Sequence, residues 1–212
     1  IRSTFFFNRS NPKFGARAGI LYSKRKYLYT NGFEVRNDKE YNLILRWNLS
    51  RNHNLKLSSI TGQRESGSDY LENRNYSIRD FKIGPTFSWQ PMPSLRVSTT
   101  YQTGIKMGYQ DEQDNSESRV NEVIGEFKYG SANKFMLQAT IKYSKALFNG
   151  NELSPLGYEL LQGMRPGDNM QWNLGWQQQL INGLQVGVYY GGRKPQGSET
   201  VHTARASVSA LF

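Results

Sequence analysis

From Arg79 to Tyr109 the chain alternates apolar and polar residues with a period of two. Phe81, Ile83, Pro85, Phe87 and Trp89 fall on one side, and Lys82, Gly84, Thr86, Ser88 and Gln90 on the other. After a turn expected at Pro91-Met92-Pro93 the pattern resumes. Leu95, Val97, Thr99, Tyr101, Thr103, Ile105, Met107 and Tyr109 then oppose Arg96, Ser98, Thr100, Gln102, Gly104, Lys106 and Gly108. Side chains alternate across a strand, so this predicts a long hairpin with one apolar and one polar surface. Strands of soluble proteins run to about 5–6 residues. A tilted strand needs about 9–11 to cross the hydrocarbon layer of a membrane. Both strands reach that length, and their polar side carries charges and glycines, as a wet lumen requires. A half-buried hairpin of a soluble sheet is the alternative at this point, because a single barrel strand is a weak signal.

The same alternation recurs along the chain. Phe5 and Phe7 share a face of a first short strand over Ser3–Arg9. Ala16, Ala18, Ile20 and Tyr22 share one in the next, which runs into Lys24-Arg25-Lys26, Tyr27 and Tyr29. Tyr41, Leu43, Leu45, Trp47 and Leu49 follow, then Leu55 and Leu57. Beyond the central hairpin come Val123, Phe127 and Tyr129, then Phe135, Leu137, Ala139, Ile141 and Tyr143. Met170, Trp172, Leu174 and Trp176 form another set, and Leu184, Val186, Val188 and Tyr190 the next. The last strand begins near Thr200 with Ala204, Ala206, Val208, Ala210 and Phe212 outward. Polar loops are expected over 63–74 and 110–118. A long structured external loop is expected over 148–168, with one helical turn at Tyr158-Glu159-Leu160-Leu161.

Short turns are expected near residues 11, 52, 92, 132 and 182, and longer loops near 30, 68, 114, 158 and 196. Outer-membrane barrels sort their connections by end in this way. The expected fold is therefore all-β, an antiparallel up-and-down transmembrane β-barrel occupying residues 1–212. About eleven strands are legible. Closed bacterial barrels have even strand numbers, so the barrel is expected to have about 12 or more, with some strands upstream of residue 1. The chain starts at Ile1 inside a strand and without a signal peptide, which reads as a processed chain or the C-terminal part of a longer one. Val208, Ala210 and the terminal Phe212 read as an insertion signal for barrel-assembly machinery.

Composition fits this picture once hydropathy is read by face. The mean hydropathy of -0.69 would suit a soluble protein, but only alternate residues of a barrel strand touch lipid. No apolar run approaches the roughly 18 residues of a membrane helix. The chain has 13 Tyr and no Cys, which excludes disulfides and thiolate metal sites and suits aromatic belts at the membrane surfaces. Its net charge is +10. The basic residues are spread over many strands, and the aromatics lie on the face opposite most charges. That arrangement is wrong for a nucleic-acid groove and suits outer-membrane lipid and lipopolysaccharide.

Candidate chemistry is sparse. The two histidines, His53 and His202, fall at opposite ends of the strands. A hydrolase site would pair His202 with Ser198 or Ser207, but no carboxylate is evidently placed to orient the ring. Glu122 and Glu126 share an inward face and are expected to pair with lumen cations such as Arg96, Lys106, Lys128 or Lys142, as narrow barrels fill their interior with side chains. No catalytic residue, cofactor or metal is expected. The lumen charges are Arg96, Lys106, Glu122, Glu126, Lys142 and Arg205.

Residues 157–163 (GYELLQG), then Pro166-Gly167-Asp168-Asn169, Trp172, Gly192-Arg193-Lys194 and His202-Thr203-Ala204-Arg205 resemble the ends of large outer-membrane β-barrel proteins of the Bacteroidota type. The resemblance covers about residues 150–212. It implies a barrel end attached to a long upstream region, and it carries no catalytic residue and no plug domain. The expected function is an integral barrel of the bacterial outer membrane that anchors or scaffolds a larger cell-surface or envelope assembly with other envelope proteins. The alternative is a passive or gated channel whose basic lumen favours anions.

Overall fold

The computed structural model describes residues 1–30, 32–68, 75–110, 114–131, 134–180 and 183–210. It holds eleven strands: β1 Arg2–Phe7, β2 Phe14–Tyr29, β3 Gly32–Asn48, β4 His53–Ser68, β5 Tyr76–Met92, β6 Leu95–Gln110, β7 Asp114–Ser131, β8 Phe135–Asn149, β9 Gly167–Gln179, β10 Leu184–Lys194 and β11 Val201–Ala210. One helix, α1, spans Pro155–Leu161 between β8 and β9. Each strand pairs antiparallel with the next, giving a single up-and-down sheet in chain order with β1 and β11 at its edges.

The alternation does set the faces, and in the inverse sense of a soluble protein. Phe87 and Trp89 are each 43% exposed, while Thr86 and Ser88 between and beside them are buried. Ile141 is 54% exposed, yet Glu122, at 5%, lies on the other face. The polar face is thus the sheltered one and the apolar face the open one. Tyr101, Phe81 and Tyr143 follow the same rule.

The outward apolar band has a definite height. It runs over Tyr41–Trp47 in β3, and over Phe14–Tyr22 in β2, Phe81–Trp89 in β5 and Phe135–Tyr143 in β8, nine residues in each of β2, β5 and β8. That matches the crossing length of a tilted strand. At the short-turn end the band closes on Phe14, Trp47, Trp89, Tyr129 and Phe135; at the other end Tyr22, Tyr41, Tyr143 and Tyr190 stand. Phe14 and Trp47 pack ring on ring at 5.2 Å, and Tyr129 and Phe135 at 5.3 Å. Two aromatic belts at a membrane's two surfaces have this arrangement.

Several boundaries differ from expectation. The strands run on past the band, so that β4 reaches Ser68 and β7 starts at Asp114, within segments read as loops. Only residues 30 and 31 separate β2 from β3, where a longer loop was expected. Above the band both faces of these strands are polar, so the period-two contrast vanishes while backbone pairing continues. The sorting of connections by length is correspondingly less clean than the extension of hairpins at one end. Pro91 and Met92 belong to β5, with a register shift between Trp89 and Met92, and the turn falls on residues 93–94. Phe212 and the turn positions 132 and 182 lie outside the described residues.

Candidate functional site

The sheltered face gathers the charges that the alternation assigned to it. Glu122 on β7 is its centre. Its Oε1 lies 2.6 Å from Lys142 Nζ on β8 and accepts a hydrogen bond from Ser144 Oγ at 3.3 Å. Its Oε2 lies 3.9 Å from Lys82 Nζ, which reaches across β6 from β5. A carboxylate this buried is tolerable only with such partners. Glu126 instead accepts from Ser98 Oγ at 3.3 Å, which sits directly opposite it in the β6–β7 ladder. Arg96 donates to Ser88 Oγ at 3.4 Å, and the hydroxyls of Thr86 and Thr100 bond at 2.9 Å. Arg205 lies over the Tyr189 ring at 5.7 Å, at the β10–β11 edge and far along the sheet from Glu122.

Lys106 has a different partner. Its Nζ donates to the carbonyl of Leu160, in the last turn of α1, at 3.4 Å. Ser154 caps the helix by accepting from the Gly157 amide at 2.9 Å, and Pro155 stands at its first turn, where its missing N–H costs nothing. Gln162 ends it in the left-handed conformation, φ 53°. Leu156 and Leu160 are fully buried against Ile78, with Tyr76 and Phe148 around them. Gly108 permits this approach: a Cβ there would stand 2.5 Å from Leu156 Cδ1.

Glu159, on the same helix, faces two arginines. Arg64 Nη1 lies 3.4 Å from its Oε2 and Arg36 Nη2 3.8 Å from its Oε1. Asp38 shares these cations, 3.0 Å from Arg64 Nε and 4.0 Å from Arg36 Nε, and also lies 2.9 Å from Arg25 Nη2. The helix is therefore held from β3 and β4 by charge, from β5 and β8 by apolar packing, and from β6 by Lys106. It lies across the sheltered face rather than standing clear of it. Sequence reading placed the helical turn but not this docking. The available signal was the set of apolar residues at inward positions, Ile78 and Phe148, which break the polar side of β5 and β8.

Toward the short-turn end the sheltered face is open. A cavity of about 500 Å³ there is lined by Gln90, Arg96, Lys128, Gln177, Gln179 and Gln185, among others. A second of about 700 Å³ shares Gln90 and Arg96 with it. The interior is thus a polar cup, floored by α1 and its ion pairs at one end.

The two histidines stay apart. His53 Nδ1 bonds Ser50 Oγ at 2.9 Å and its ring stacks on Phe87 at 5.8 Å. His202 Nδ1 meets the Tyr190 hydroxyl at 2.8 Å and its ring stacks on that of Tyr190, 14° from parallel. His202 thus faces outward with Tyr190, and the alternation puts Ser207 on the opposite face.

No family model matches the chain, and no curated protein does. Solved structures do. The translocator domain of autotransporter NalP from Neisseria meningitidis aligns with all of this chain and 80% of its own, at 13% identity and a TM-score of 0.48. The NanC porin aligns with all of this chain and 98% of its own, at 12% identity and 0.45. BauA, the ferric preacinetobactin receptor from Acinetobacter baumannii, aligns with 98% of this chain and 43% of its own, at 8% identity and a TM-score of 0.50. At that identity the likeness to BauA is one of fold alone, the fold of an outer-membrane β-barrel.

Proposed function

We propose that the chain forms wall of an integral β-barrel of the bacterial outer membrane, non-enzymatic, that anchors or scaffolds a larger cell-surface or envelope assembly. The observation that carries this reading is α1 seated across the sheltered face, held by Arg36, Arg64 and Lys106 and by Ile78. An anchor needs an apolar outside and gains from a filled inside; a passive pore needs an unobstructed one. The resemblance of residues 157–169 to Bacteroidota-type barrel ends supports an envelope role in such a cell. Insertion by the barrel-assembly machinery through Val208, Ala210 and Phe212 belongs to the same reading. Conductance across planar bilayers tests it. The anchor is expected to show no steady current, and sustained anion current from the unaltered chain would overturn it in favour of a channel.

One observation favours a gated channel as the second reading. The cup lined by Arg96 and Lys128 is polar and open at one end. The segments flanking α1 turn on glycines with positive φ, Gly150 at 144° and Gly163 at 74°, so the helix can leave without unravelling a strand. A channel of this kind would conduct only after α1 is displaced, with Arg96, Lys106, Lys142 and Arg205 biasing it to anions.

A further inference from the structure

The tripeptide Lys24-Arg25-Lys26 divides between the two faces of β2. Arg25 turns to the sheltered face and pairs with Asp38 at 2.9 Å. Lys24 and Lys26 turn outward, immediately beyond Tyr22, the last residue of the apolar band. On β3 the register sets Lys39 opposite Tyr22 and Asn37 opposite Lys24. Lys24 and Lys39 are therefore diagonal neighbours on one face, and Lys26 follows with its ammonium 3.8 Å from the Phe33 ring centroid. All three lysines are exposed.

Three other outward cations at this height have a neighbour that can offset them. Arg119 pairs with Glu117. Lys145 stands opposite Asp168 in the β8–β9 ladder, and Asp168 Oδ1 also accepts from the Tyr143 hydroxyl at 2.6 Å. Arg79 lies over the Tyr109 ring. Among the described residues, no carboxylate pairs with Lys24, Lys26 or Lys39. The nearest outward one by register is Glu65, opposite Asn37 and diagonal to Lys39; it accepts from Gln63 Nε2 at 2.9 Å and is within ion-pair distance of none of the three lysines. Like charges grouped on one sheet face repel without a counter-charge. Just below them lie Ile20, Tyr22, Tyr41 and Leu43, an apolar wall at acyl-chain depth.

We propose that Lys24, Lys26 and Lys39 form a seat for the phosphate of an anionic membrane lipid, whose acyl chains lie against Ile20 and Leu43. This rests on the membrane reading above. The lysines sit where lipid headgroups sit, at the edge of the hydrocarbon layer beyond a tyrosine belt. Cations near an anionic membrane surface each strengthen binding by about fivefold.

The test uses the full chain in lipid nanodiscs of phosphatidylcholine doped with bisphosphorylated lipid A, with retained lipid counted by native mass spectrometry. The unaltered chain is expected to retain lipid A over phosphatidylcholine. The triple variant Lys24→Gln, Lys26→Gln, Lys39→Gln is expected to lose that preference by on the order of a hundredfold. Lys145→Gln and Arg119→Gln are expected to keep it. Heat-dependent gel migration reports folding, and if the triple variant misfolds, the single variants Lys24→Gln and Lys39→Gln are each expected to lose about fivefold. An unchanged preference in the folded variants overturns the seat, as does competition by inorganic phosphate at the same concentration as lipid A. A chain that enters discs yet prefers neither lipid overturns the seat alone; a chain that enters no disc overturns the membrane reading too.

Discussion

Glu122 Oε1 and Lys142 Nζ lie 2.6 Å apart on the sheltered face, one residue from Ile141, which points the other way into the open. The pair links β7 to β8, and Lys82 links it to β5. Removing the carboxylate strands two lysines that are each about one-third exposed. A fully buried pair costs about 3–5 kcal/mol to break from one side, and partial solvation of the lysines lowers that here. Glu122→Gln is expected to destabilise the folded sheet by about 2 kcal/mol. Guanidinium unfolding in lipid vesicles measures it, and a change under about 0.5 kcal/mol would mean the pair is not a structural tie.

Neighbouring positions on β8 should respond unequally to the same substitution. Ile141→Arg puts a charge on the lipid face and is expected to cost about 2–4 kcal/mol of folding into bilayers. Thr140→Arg places it among Gln138 and Lys142 on the sheltered face, where about 1 kcal/mol or less is expected. Folding yield and unfolding midpoint in vesicles of fixed composition read both. Equal costs would contradict the inverted faces.

Gly108 governs whether α1 can lie flat. Gly108→Val puts a side chain where Leu156 Cδ1 now stands, and is expected to lift the helix from Ile78 and Phe148. The readouts are faster proteolysis between residues 151 and 166 and, if the interior is otherwise continuous, current across planar bilayers where the unaltered chain gives none. Retained protection would show that the helix finds another seat.

The charge clamp on α1 can be separated from its apolar one. Glu159→Gln removes the partner of Arg36 and Arg64 and leaves Leu156 and Leu160 in place. It is expected to loosen the helix by about 1 kcal/mol, seen as a several-fold increase in proteolysis of the same segment that vanishes at high salt, where the unaltered chain's pairs are screened as well. Ser154→Ala is expected to act by a comparable amount through the lost cap, independently of salt.

What could be read from the residues was set by contrast between the faces. Within the band, Phe87 against Ser88 or Ile141 against Lys142 differ so sharply that period two names each face without any partner strand. Beyond the band the contrast is gone. Ser66, Gly67 and Ser68, or Asn115 and Ser116, look like loop although their backbones are paired. The partner of Glu122 was half legible: Lys142 was anticipated, whereas Lys82 lies two strands away, and its reach depends on stagger between strands that alternation does not encode. The docking of α1 was not legible because Ile78 lies just before the alternating run that begins at Arg79 and Phe148 opens the stretch read as a loop; only the fold brings them beside Leu156 and Leu160.

The ladder between β2 and β3 runs unbroken from Phe14↔Trp47 to Tyr29↔Gly32. Its lower nine residues are spent in the hydrocarbon. The remaining seven, Ser23–Tyr29, at about 3.4 Å each, carry the tip through the headgroup layer and beyond it, at most about 24 Å past the hydrocarbon. Such a mast, stiffened by pairing along its whole length, offers Thr30 as a place to splice an epitope tag: an antibody could grip it there without touching lipid or disturbing the strands that cross it.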